Sequence, residues 1–108
     1  MQTLKPSDIA QTSEKLVQEW LNENGFINVL HNTSEDGGNA IEANGSIENI
    51  LVHVRSHVQP FRPILINDDE RNKIKTTAEN QGRKAYVAYL VIDAEKNIVG
   101  DISWERLS

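Results

Sequence analysis

His53 and Arg55 stand two residues apart in the run Ile50-Leu51-Val52-His53-Val54-Arg55-Ser56. Side chains of a strand alternate, so Val52 and Val54 take one face and His53 and Arg55 share the other. Imidazole titrates near neutral pH and serves as a base or as a ligand to a softer metal. Guanidinium stays protonated, cannot take a proton from water, and grips phosphate with its planar fork. A preceding run, Asn39-Ala40-Ile41-Glu42-Ala43-Asn44-Gly45, contributes Glu42. Facing side chains of a hairpin approach within about 4.5–5.5 Å at Cβ, so Glu42, His53 and Arg55 can converge as a candidate catalytic set. The expected arrangement is a Glu42–Arg55 ion pair, because carboxylate and guanidinium match readily. The competing arrangement leaves Glu42 and His53 to share a divalent ion, with Arg55 directed at phosphate.

The elements that must position these groups are legible. Over 7–24, Ile9, Leu16, Val17, Trp20 and Leu21 form one apolar stripe at helical spacing, with Ser7 as cap, Asp8 in the first turn and Gly25 as stop. Phe26 to His31 reads as a short strand, with His31 a strand-end residue, and 32–38 as turn formers. Ala40–Asn44 and Glu48–Ser56 are strands joined around Asn44-Gly45-Ser46. Pro60 and Pro63 oppose regular structure after them. A second helix opens at Asn67, with acids in its first turn, and stops at Gly82. Ala85–Ile92 is nearly all apolar, as a central strand buried on both faces should be. Ile98–Ser103 is predicted as the last strand. The order α-β-β-β-α-β-β calls for a helical crossover onto a mixed sheet and a three-layer α/β/α sandwich.

With 108 residues, 38% hydrophobic and 25% charged, the chain reads as one ordinary soluble globular domain over 1–108. Without cysteine it has no disulfide, thiolate metal site or thiol nucleophile. No apolar run approaches the roughly 20 residues of a membrane span, and the first residues lack a secretory apolar stretch, so a cytoplasmic protein without a membrane partner is expected. The net charge of −5 divides unevenly: −6 over residues 1–50, +3 over 51–85 and −2 over 86–108. An acidic chain is repelled by phosphate at long range, yet the basic middle third offers a local footprint through Arg55, Arg71, Lys73, Lys75 and Lys84. The same residues also read as a solvated face of mixed charge. Trp20 belongs to the apolar stripe, and Trp104 is either a core cap or a contact aromatic. Gly37-Gly38 lacks the strand and helix of a phosphate loop and reads as a turn.

The element order and the hairpin pattern resemble the restriction-endonuclease-like, or PD-(D/E)XK, nuclease superfamily, whose smaller members include Holliday-junction resolvases. The resemblance spans roughly residues 7–92. It implies a glutamate on the first helix, where Glu14 or Glu19 stands, and an Asp-aliphatic-x-Ala strand, where Ala40-Ile41-Glu42-Ala43 puts alanine in place of the aspartate. It also implies an aliphatic-x-Glu-x-Lys strand, where Leu51-Val52-His53-Val54-Arg55 puts histidine for the acid and arginine for the lysine. That family hydrolyses phosphodiesters with a metal ion held by carboxylates and water oriented by lysine. Magnesium prefers hard oxygen ligands and binds imidazole poorly. The expectation is therefore a catalytically degenerate nuclease-fold protein, not an enzyme and without cofactor, acting as a binding or accessory module for DNA or RNA. The alternatives are a nuclease with a relocated magnesium or manganese site of Glu42, His53 and Glu14 or Glu19, and a protein-interaction domain with no nucleic-acid role.

Overall fold

Ser13, Val17 and Leu21, at helical spacing, form the fully buried side of α1 (Pro6–Glu23) in the computed structural model, which describes residues 6–33, 39–59 and 65–107. The helix ends where expected: Gly25 adopts φ +88°, a left-handed conformation that costs glycine nothing, and Phe26 N–H donates to Leu21 O at 3.0 Å. The chain then builds β1 (Ile27–Thr33), β2 (Asn39–Asn44), β3 (Asn49–Val58), α2 (Asp68–Asn80), β4 (Lys84–Ile92) and β5 (Ser103–Arg106). The side chain of Ser7, the turn residues 34–38 and both Pro60 and Pro63 lie outside the described residues.

The five strands form one mixed sheet in the order β1-β2-β3-β4-β5, antiparallel except for the parallel β3–β4 pair that α2 connects. The α-β-β-β-α-β-β order expected from the sequence is the observed one. Alternation divides the core into two clusters. Ile41, Ala43, Ile50, Val52, Val54, Ala88 and Leu90 pack on Val17 and Leu21 of α1. Ala40, Leu51, Ala85, Val87 and Tyr89 face the other way, onto Ala78 and Ile74 of α2. A helix thus covers each face, and β4 is buried on both, which its apolar run required.

Asn67 caps α2 as read, its side chain accepting the Glu70 N–H at 2.8 Å. The final strand differs from the reading. Ile98 makes a single bridge to Ile92, and the strand proper is Ser103–Arg106, paired with Tyr86–Tyr89. Lys96 at φ +68° and Gly100 at φ +77° interrupt the extended backbone, so the chain leaves the sheet and rejoins it later than its apolar residues suggest. Trp104 lies opposite Ala88 and meets Trp20 with ring centroids 4.8 Å apart. Both tryptophans are half-buried against the α1-side cluster, so Trp104 belongs to the edge of the core.

Candidate functional site

The hairpin register decides what meets what on the α2-side face. Gly45 N–H donates to Glu48 O at 3.0 Å, closing a loop whose flanking pair is Asn44 and Asn49. Counting back, Glu42 faces Leu51 and Ala40 faces His53. Ala40 and His53 are direct cross-strand partners, and Arg55 follows on the same face of β3.

Glu42 and Arg55 do not pair. Glu42 sits opposite Leu51, four residues short of Arg55, a separation of about 13 Å along a strand. Each has found another partner. Glu42 Oε1 lies 3.9 Å from Arg83 Nη2, and Arg83 Nη1 donates to Ala43 O at 3.1 Å, Asn44 Oδ1 at 3.0 Å and Ile50 O at 3.3 Å. Arg83 thereby ties the base of the hairpin to the end of α2. Arg55 forms its ion pair with Glu70 in the first turn of α2. The Glu42–Arg55 expectation is overturned because the turn length fixes a register that the alternation pattern leaves open.

His53 is half-buried between Ala40 and Val87. Burial pushes its pKa below the ordinary imidazole value, and the positive charge of Arg55 pushes it in the same direction, so His53 is neutral at physiological pH. β3 continues to Val58, which puts His57 on the same face as His53, with Arg55 between them. His57 Nδ1 and Arg55 Nε are buried without a hydrogen-bond partner. On this strand three basic side chains follow one another at alternate positions, and Glu70 is the carboxylate that closes on the middle one.

The sheet itself stands between the first-helix glutamates and this face. Glu14 lies on the α1 side, its Oε2 3.1 Å from His31 Nε2, and His31 pairs with Ile41 of that side. Glu19 is exposed beside Trp20. The Glu14, Glu42 and His53 set is thus split across two faces, and among the described residues no group of three or more acids and histidines is placed to hold a metal ion.

The basic footprint is also divided. Arg71 Nη1 meets Glu105 Oε1 at 2.6 Å, joining α2 to β5, and Tyr89 OH donates to Glu105 Oε2 at 3.4 Å. Residues two apart on a helix point about 160° from each other, so Lys73 and Lys75 flank α2 on opposite sides. Lys73 is exposed and Lys75 half-buried, while exposed Lys84 alternates with Ala85 and so lies on the α1 side of the sheet, apart from the other bases of the expected footprint. Sequence reading missed Glu70, Glu105 and Arg83 as the groups that set this electrostatics. Glu70 was visible as a first-turn acid, but nothing local gives its distance from Arg55.

Neither a family model nor a curated protein matches the chain. The structure has no helix among the described residues that is long and apolar enough to cross a membrane. What fold and site together define is a small α/β protein with a five-stranded mixed sheet whose hairpin presents neutral imidazole and paired guanidinium.

Proposed function

We propose that this protein is a non-hydrolytic binding module on a restriction-endonuclease-like core, acting in a nucleic-acid context inside the cell. The observation that carries the reading is the Ala40–His53 cross-strand pair with Arg55 beside it. On such a core, the positions that would hold metal and water carry here a methyl group, a neutral ring and a guanidinium closed on Glu70. A hard divalent cation finds poor donors there. The phosphate contacts fall to Lys73 and Lys75, with Arg55 joining when Glu70 yields it.

Two measurements test this. Duplex, single-stranded and branched DNA and RNA are titrated at low salt, and the same substrates are incubated with magnesium and with manganese. The expected result is weak binding that fades as salt rises, and no cleavage. Cleavage that disappears in a Glu42→Ala variant would overturn the non-hydrolytic half, and no binding to any nucleic acid would overturn the other.

A further inference from the structure

On the opposite side of the sheet from His53, α1 and the segment leading into β5 border an open groove of about 410 Å³. Its floor and walls are apolar: Leu16 and Trp20 of α1 face Ile98, Ile102 and Trp104. The two indole rings meet there at 45° with centroids 4.8 Å apart, and both are half-buried rather than sealed into the core. The rim is acidic on both sides, with Glu19 and Glu23 from α1 and Asp101 from the facing segment. All three carboxylates are exposed, and none forms an ion pair among the described residues.

We infer that this groove binds a basic, extended segment of a partner protein, laying a lysine or arginine side chain against Trp20 and Trp104 with its charged head among Glu19, Glu23 and Asp101. The chemistry selects that occupant. An indole face attracts a cation, tryptophan most strongly of the aromatic side chains. An apolar floor takes the aliphatic stem of lysine or arginine while the head stays at the wet rim. Carboxylates on two walls favour a chain carrying more than one positive charge and repel nucleic acid, so this site is separate from the phosphate-facing side proposed above. The size lies within the range of built ligand sites, about 300–1,000 Å³.

The chain contains two tryptophans, and both line the groove, so fluorescence excited selectively at tryptophan reports this site. The probe is a nine-residue peptide alternating arginine and glycine, titrated at low salt beside an aspartate–glycine counterpart, tetramethylammonium chloride and duplex DNA. The expected result is a saturable change with the arginine peptide alone. It should weaken about tenfold in the triple variant Glu19→Gln, Glu23→Gln, Asp101→Asn, as loss of a complementary rim implies. A Glu79→Gln variant, altered at an exposed acid of α2, should bind as the parent does. These are surface changes, so the variants retain the fold, and unchanged far-ultraviolet circular dichroism checks that. Absence of saturation, undiminished binding by the triple variant, tetramethylammonium binding as tight as the peptide, or a saturable response to DNA would each overturn the assignment.

Discussion

At the scale of single residues, the two positions with most chemical promise are both held back by neighbours. His53 gives up its proton more readily in the folded protein than in the unfolded chain, because burial and Arg55 disfavour the imidazolium. The unfolded chain titrates near the ordinary value of about 6.5, so stability is full above that pH and declines as pH falls below it toward the folded value. Urea unfolding at pH 7.5 and 5.5 should therefore show a smaller loss for His53→Gln than for the parent. Parallel losses would remove His53 from the pH dependence. Arg55 depends on Glu70, both partly exposed. Glu70→Gln should cost about 1 kcal/mol or less, given the solvent screening of such pairs. It should also release the guanidinium, strengthening DNA binding at low salt, and unchanged affinity would show that Arg55 does not reach phosphate.

At the scale of elements, the β2–β3 hairpin carries the site, and Gly45 sets its register. A Cβ on Gly45 would stand 2.7 Å from the Glu48 carbonyl oxygen and 2.9 Å from Phe26 Cε1. The first of these is backbone and is itself the acceptor that closes the loop, so it has little room to yield. Gly45→Ala should lower stability by about 1–3 kcal/mol in chemical denaturation, the range for overpacking. A neutral substitution would mean the loop opens without disturbing the strands. The loop is tied further by Glu48, which accepts from Tyr86 OH at 2.6 Å and pairs with Arg106 at 3.3 Å. Burial, and next the bond to Glu48, push the Tyr86 pKa up. Helix α2 is anchored at its start, where Asn67→Ala should cost about 1 kcal/mol through the unsatisfied Glu70 N–H.

At the scale of the whole molecule, arginine serves as the tie between elements. Among the described residues Arg55, Arg71, Arg83 and Arg106 each face a carboxylate on another element, joining β3 to α2, α2 to β5, the end of α2 to β2, and β5 to the hairpin loop. The net charge of +3 over residues 51–85 is therefore partly spent inside the fold. If Lys73 and Lys75 make the phosphate contacts, log affinity for duplex DNA should fall with log salt at a slope of about −2, from roughly −0.9 per phosphate. A slope steeper than about −5 would mean that the arginines leave their partners on binding.

The sequence by itself determined the element order, the cap at Asn67, the stop at Gly25 and the burial of β4, because these rest on local periodicity and backbone preference acting over a few residues. It also determined that His53 and Arg55 share a face, since alternation needs no partner strand. It misplaced the last strand, whose position depends on two left-handed residues and on which part of β4 remained unpaired. Only the tertiary structure decided the electrostatics. Whether Arg55 meets Glu42 or Glu70, and whether Glu14 lies with His53 or behind the sheet, depends on register and on which face each helix covers. Charge pairs form between groups far apart in the chain, and their distances are set by packing, which no local pattern of residue types encodes.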